Sequence, residues 1–264
     1  MDVKKRIDFL RKELSEHNHS YYVLDEPSIS DFEFDALLKE LQDLENKHPE
    51  FHDAHSPTQR VGGAVIDGFD AVAHKSSMLS LGNTYSEADL LDFDTRLKKL
   101  TDQPIKYVCE LKYDGVSISL TYKNGVLFQA LTRGDGAKGD DVTQNVKTIK
   151  SIPLKLKGNY PDEFEIRGEI FLPLSAFEKM NTERIAAGLE PYANPRNTAS
   201  GSMKLLDPKE VAKRPLDCFL YYLLGENSPT NSHFENLQHA RNWGFKVPTE
   251  IEQFDDINGV ISFV

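Results

Sequence analysis

The sequence predicts an α+β protein, with a small helical N-terminal unit followed by a larger domain built on antiparallel sheet. Three observations carry that expectation. Apolar residues recur at helical spacing in Val3, Ile7, Leu10 and Leu14, and again in Phe34, Leu37, Leu38, Leu41 and Leu44, which marks two amphipathic helices. Further along, Val116, Ile118, Leu120 and Tyr122 alternate with polar residues, the period of a half-buried strand. Asn124-Gly125 then separates that run from a second one, Val126 to Arg133. This is a hairpin signal, so neighbouring strands are expected to run antiparallel and a Rossmann sheet is not.

The elements follow in chain order. Ser30-Asp31-Phe32-Glu33 fits a capping box at the start of the second helix. Ser56-Pro57-Thr58-Gln59-Arg60-Val61-Gly62-Gly63 reads as a linker, dividing the chain into residues 1–65 and 66–264, and a swing of the helical unit about it is expected. Ser86 can cap a helix carrying Leu90, Leu91, Phe93 and Leu97. Cys109, Leu111 and Tyr113 alternate with Glu110 and Lys112, so the two charged residues are expected on one face of a strand. Phe164 to Leu172 and Leu216 to Leu224 read as further strands. Pro173-Leu174-Ser175 opens a helix ending near Gly188, and Asn194 to Ser202 reads as a polar loop. Asp255 to Val264 looks like the first turns of another amphipathic helix without a closing sequence, so the second domain is expected to be incomplete at its C-terminus.

Composition narrows the function. The formal net charge of −11 argues against a general nucleic-acid binder, for which a basic face is expected; DNA affinity would have to come from a local patch or from sequence outside this segment. There is no apolar run of about 18 residues and no signal-peptide core. Cys109 and Cys218 lie in apolar strand-like runs and form no Cys-x-x-Cys pair. They read as reduced core residues of a cytoplasmic protein, with no ligand set for zinc. The eight histidines show no ligand spacing and are given no special role.

The chemistry-bearing stretches are few. Cys109-Glu110-Leu111-Lys112-Tyr113-Asp114-Gly115 sets a lysine beside acids and a tight turn, where a deprotonated amine could attack an electrophile. An exposed hairpin is the plain alternative. Thr132-Arg133-Gly134-Asp135-Gly136 lets backbone approach a ligand closely, or is a surface turn. Glu165, Arg167 and Glu169 share a strand face that suits a ribose hydroxyl or magnesium, or form a salt-bridge ladder. The donors of Asn194 to Ser202 suit phosphates.

Taken together in this order and spacing, Lys-Tyr-Asp-Gly, Thr-Arg-Gly-Asp-Gly, Arg-Gly-Glu and Asn-Pro-Arg-Asn resemble the NAD⁺-dependent bacterial DNA ligases over essentially the whole chain. The resemblance implies an antiparallel-sheet nucleotidyltransferase domain of the ATP-grasp-like ligase type, truncated here, behind a helical domain that holds the nicotinamide mononucleotide half of NAD⁺. It implies Lys112 as the nucleophile that takes AMP from NAD⁺ and passes it to the 5′-phosphate of a nick in double-stranded DNA. By the same resemblance Glu110 recognises the adenine amino group, Ser80 and Leu81 wall the adenine, and Tyr221 stacks. Arg133 and Glu169 contact ribose and phosphate, and Arg196 lies in the phosphate-side motif. Tyr21, Tyr22, Asp31 and Asp35 receive the cationic nicotinamide ring. Magnesium is expected, without an assigned ligand, and so is a monomer.

Three departures stand out. Lys204 occupies a position where the family commonly has arginine, and Phe34 one where it commonly has tyrosine. The later lysine motifs and the DNA-encircling domains are not in this segment, so weak DNA binding and poor activity are expected of it alone. A non-catalytic NAD⁺- or AMP-binding module and an ATP-dependent nucleotidyltransferase are the alternatives.

Overall fold

The computed structural model describes residues 2–24, 26, 28–60 and 67–264. The N-terminal helices form where the apolar stripes place them, α1 at Val3–Tyr22 and α2 at Asp31–Lys47. Ile7, Leu10, Leu14 and Leu41 are buried between them, with Phe34, Leu37, Leu38 and Leu44 packed against that cluster. The predicted capping box is present: Ser30 Oγ accepts from the Glu33 N–H and the Glu33 carboxylate accepts from the Ser30 N–H. It satisfies donors that a helix start otherwise leaves orphaned.

The stretch expected to be a flexible linker is fastened at its near end. Pro57–Arg60 forms a 3₁₀ turn, and Ser56 and Thr58 donate their hydroxyls to Glu45 of α2. Arg60 donates to the carbonyls of Lys147, Ile149 and Ile152 at 3.2, 2.9 and 3.0 Å. Burial pushes this guanidinium down to about 10; three fixed acceptors hold it in a site that otherwise disfavours charge. A swing about Ser56–Arg60 would therefore leave those carbonyls and the arginine without partners. Val61, Gly62 and Gly63, the rest of the expected linker, lie outside the described residues.

The larger part runs β1 (Ala71–Ala73), α3 (Glu87–Lys98), β2 (Tyr107–Glu110), β3 (Val116–Lys123), β4 (Val126–Thr132), β5 (Lys138–Asp140), α4 (Thr143–Val146) and β6 (Glu163–Phe171). It continues through α5 (Leu174–Ala186), α6 (Pro195–Met203), α7 (Pro208–Ala212), β7 (Asp217–Leu224), α8 (His233–Asn242), β8 (Ile251–Phe254) and α9 (Ile257–Phe263). β4-β3-β6-β7 form a four-stranded antiparallel sheet, while β1 pairs with β5 and β2 with β8. Asn124 and Gly125 both have positive φ, 49° and 74°, which is what a two-residue turn matching strand twist demands.

Two sequence expectations are corrected. Asn194 to Ser202 is not a loop: the Asn194 side chain accepts from the Asn197 N–H, Pro195 takes the first helical position, and α6 follows with Thr198, Ala199, Ser202 and Met203 buried. An Asn cap before proline is a strong helix start, and small polar residues on the buried face hid the apolar stripe. The strand carrying Glu110 also ends at that residue, where its partner β8 begins with Ile251. Lys112 therefore sits in the loop beyond the strand rather than on Glu110's face of it.

The central sheet has one apolar and one polar face. Ile118, Leu120, Tyr122, Ile166, Ile170, Cys218 and Leu220 join Ala199, Met203, Leu237, Trp243 and Phe245 in the main core. On the other face the register sets Ser117 opposite Glu169, Ser119 opposite Arg167 and Thr121 opposite Glu165. Arg167 Nε donates to Glu165 at 2.7 Å, and its terminal nitrogens donate to the carbonyls of Ser76 and Ser77. This buried pair fixes the segment before Ser80 across the polar face.

Candidate active site

The site lies at the Ser117–Glu169 end of that polar face. Alternation on β7 buries Cys218 and Leu220 and then slips by one to Leu223, because the β6–β7 register shifts between Arg167 and Gly168. A bulge of this kind re-aims the side chains beyond it, here setting Tyr222 opposite Arg167, while Tyr221, on the parity of Phe219, donates its hydroxyl to Glu169 Oε2 at 3.2 Å. Gly168 permits the close approach of the two strands: a Cβ there would lie 2.1 Å from the Phe219 carbonyl oxygen.

The Lys112 loop is held over the same strands by its neighbours. Tyr113 packs on Phe219 with ring centroids 4.6 Å apart, Phe219 stacks on Phe171 at 5.0 Å, and Tyr113 lies 6.4 Å from Phe171. Phe171 and Phe219 share strand parity with Glu169 and Tyr221, so the sheet presents an aromatic shelf beside two polar groups. Gly115 is buried, and a Cβ would meet the Ile170 carbonyl at 2.2 Å, so glycine lets the loop re-enter the sheet. Asp114 pairs with Arg196 Nε at 3.3 Å, joining the loop to the first turn of α6. Lys112 itself is exposed.

Electrostatics follow from this packing. Burial raises the Glu169 carboxyl above its ordinary 4.5, against the opposing effects of the Tyr221 hydroxyl, the Lys112 charge, the Gly115 N–H and the Arg196 charge. Burial, offset by Ser117 and reinforced by Glu169, pushes the Tyr221 hydroxyl up to about 12. A buried carboxylate with a raised value costs stability above its own titration and recovers it as pH falls toward the unfolded value. Glu169→Gln should therefore melt at or above the parent temperature at pH 8, with the difference narrowing toward pH 4.5; parallel thermal melts across that range check it.

Glu110 Oε1 accepts from His233 Nε2 at 2.5 Å, and the His233 ring lies 5.7 Å from that of Tyr222. Ser80 and Leu81 are exposed, just after Met78, whose N–H donates to the Gly136 carbonyl. Arg133 is exposed in the turn ending at Gly136, and its carbonyl meets His74 Nε2. Arg133 and Ser80-Leu81 thus belong to one corner of the fold, which Arg167 ties to β6. No hydrogen bond or ion pair among the described residues joins that corner directly to Lys112.

Of the aromatic and acidic residues expected on the helical unit, Tyr21, Tyr22 and Asp35 lie together. Tyr21 and Tyr22 have ring centroids 4.6 Å apart, and with His17, Phe34 and Asp35 they line a cleft of about 240 Å³. Phe34 packs into the helix core. Lys150 reaches in from the larger part, donates to the Tyr22 hydroxyl at 2.9 Å and stands 5.0 Å over its ring. Asp31 is the first residue of α2; its side chain lies outside the described residues. Lys204 is exposed at the C-terminal end of α6. Among the described residues, no group of three or more His, Cys, Asp or Glu could hold a metal ion.

A loop lysine, a half-buried carboxyl, an aromatic shelf and a paired arginine thus meet at one end of the polar sheet face. Residues 66–264 match the family model described as the NAD-dependent DNA ligase adenylation domain. The chain belongs to that family. Residues 1–62 match a second family model, the DNA ligase-like N-terminal NAD⁺-binding domain. Among curated relatives, the chain is 60% identical to a DNA ligase of Christiangramia forsetii, 58% to one of Flavobacterium johnsoniae and 55% to one of Bacteroides fragilis. Each match covers the whole of this chain and 40% of the relative's length.

Sequence reasoning missed His233, Tyr113, Phe171, Phe219 and Lys150. For the two phenylalanines a signal existed, since their strand parity is that of Glu169 and Tyr221. His233 and Lys150 meet their partners from 123 and 128 positions away, and nothing local announces such contacts.

Proposed function

We propose that the chain is the adenylation portion of an NAD⁺-dependent DNA ligase. Residues 1–65 serve as the unit for the nicotinamide mononucleotide half, and residues 66–264 as a nucleotidyltransferase domain of the ATP-grasp-like type. The observation that carries this reading is the convergence of Lys112, Glu169, Tyr221 and Arg196 at one end of a polar sheet face.

In this reading the Lys112 amine, having lost a proton to solvent or a base, forms an N–P bond with the adenylyl phosphorus of NAD⁺. The P–O bond to nicotinamide mononucleotide breaks, and that fragment leaves with the electron pair. Glu169 accepts from ribose hydroxyls, Tyr221 offers a stacking face, and Arg196 and Arg133 stand on the phosphate side. Glu110 accepts from the adenine amine between the Ser80-Leu81 wall and the sheet. Tyr21, Tyr22, Asp31 and Asp35 take the nicotinamide side, opposite the nucleophile, as in-line displacement requires. The 5′-phosphate of a nicked duplex then attacks the same phosphorus and returns the electron pair to the lysine nitrogen. Magnesium would act at the phosphates; the described side chains form no site of their own for it, and no step depends on a protein ligand to it. The full-length protein is expected to be a cytoplasmic monomer. No described helix is long and apolar enough to cross a membrane.

Intact-mass measurement of the full-length protein after incubation with magnesium and either NAD⁺ or ATP tests the proposal. The expected result is a gain of one AMP from NAD⁺ alone. A gain from ATP instead would contradict the dinucleotide reading, and no gain from either would leave a non-catalytic nucleotide-binding module.

A further inference from the structure

We infer that His233 is a positioning residue that makes Glu110 selective for an amino-bearing purine, an inference that rests on Glu110 facing the base as proposed above. Glu110 ends β2, and beyond it the chain leaves the strand for the Lys112 loop. His233 is the first residue of α8, behind the Ser232 cap whose side chain accepts from the Glu235 N–H. Its Nε2 meets Glu110 Oε1 at 2.5 Å, and its ring is tilted against Tyr222 at 5.7 Å. Both side chains are largely shielded, with relative exposures of 32% for His233 and 20% for Glu110.

An ionised carboxylate can only accept, so the imidazole must carry its proton on Nε2. The bond occupies Oε1 and leaves the lone pairs of Oε2 for a ligand. A carboxylate fixed in this way reads a donor: it bonds the exocyclic amine of adenine and opposes the carbonyl oxygen of hypoxanthine at the same ring position. Without His233 the glutamate side chain regains rotamers. Part of the binding energy is then spent on ordering it, and the preference between the two bases weakens. This contact needs no chemistry at the phosphorus, so it acts on binding of the dinucleotide rather than on the rate of the bound complex.

The test is the rate of self-adenylation by the full-length protein with NAD⁺ and with nicotinamide hypoxanthine dinucleotide. In His233→Ala we expect the NAD⁺ concentration that gives half the limiting rate (KM) to rise about tenfold with the limiting single-turnover rate within about twofold, and the preference for NAD⁺ to fall about tenfold, the loss of one hydrogen bond to a charged group. His233→Gln, whose amide nitrogen can stand near the position of Nε2, should restore most of both. His233→Ala with KM and preference within twofold of the parent overturns the inference, and so does His233→Gln that behaves like His233→Ala. Glu110→Gln keeps the two readings apart. If it alters the base preference while His233→Ala does not, only the role of His233 is lost. If it leaves the preference unchanged, the assignment of Glu110 to the base fails first.

Discussion

Lys112→Ala should abolish the AMP adduct proposed for the full-length protein and leave the fold and dinucleotide binding in place. Lys112 is exposed, and neither a salt bridge nor a side-chain hydrogen bond is formed by it among the described residues, so truncation should change stability by no more than about 0.5 kcal/mol. The loop keeps its place because Tyr113 on Phe219 and Asp114 with Arg196 hold it. Adenylation should fall below detection by intact mass, since no second amine occupies the same loop. Lys112→Arg should be equally inactive: it keeps the cation but not a nitrogen that gives up a proton at neutral pH. Binding of NAD⁺ by calorimetry should persist within several-fold for both. A drop in melting temperature matching the drop in activity would show that the lysine is structural.

Arg167→Ala is the change with the largest expected cost to stability. Arg167 and Glu165 form a buried pair at 2.7 Å, and the arginine also satisfies the carbonyls of Ser76 and Ser77. Removing it leaves a buried carboxylate alone, which costs about 3–5 kcal/mol. At about 2–4 °C per kcal/mol for chains of this size, melting should fall by roughly 10 °C. The pair also fastens the segment leading to Ser80 and Leu81, so affinity for NAD⁺ should weaken in the folded fraction. A Glu165→Ala change made in addition removes the stranded charge, and the double variant should be more stable than Arg167→Ala alone. A double variant that is less stable would place the cost in the loss of packing instead.

How much of the architecture was legible in the sequence depends on the range of the interaction that decides each element. The helix pair and its capping box arise from residues a few positions apart, and so does the β3–β4 hairpin with its Asn124-Gly125 turn. The polar face of the sheet was readable too, since Glu165, Arg167 and Glu169 obey simple alternation. The bulge that sets Tyr222 opposite Arg167 was not, because it depends on pairing with another strand, where Gly168 lets the Phe219 carbonyl come close. The end of β2 at Glu110 was equally hidden: it is fixed by pairing with Ile251, far along the chain. Arg60 looked like part of a solvated linker because its acceptors are backbone carbonyls, which no side-chain pattern reveals. Asn194-Pro195 did carry a helix signal, but the polar run from Arg196 to Ser202 masked it.

Locating the AMP by tandem mass spectrometry of the NAD⁺-treated full-length protein tests the central claim most directly. The account predicts a single adenylyl group, on the Lys112 Nζ nitrogen of the peptide that spans Glu110 to Gly115. AMP found on any other residue, with Lys112 unmodified, would contradict it.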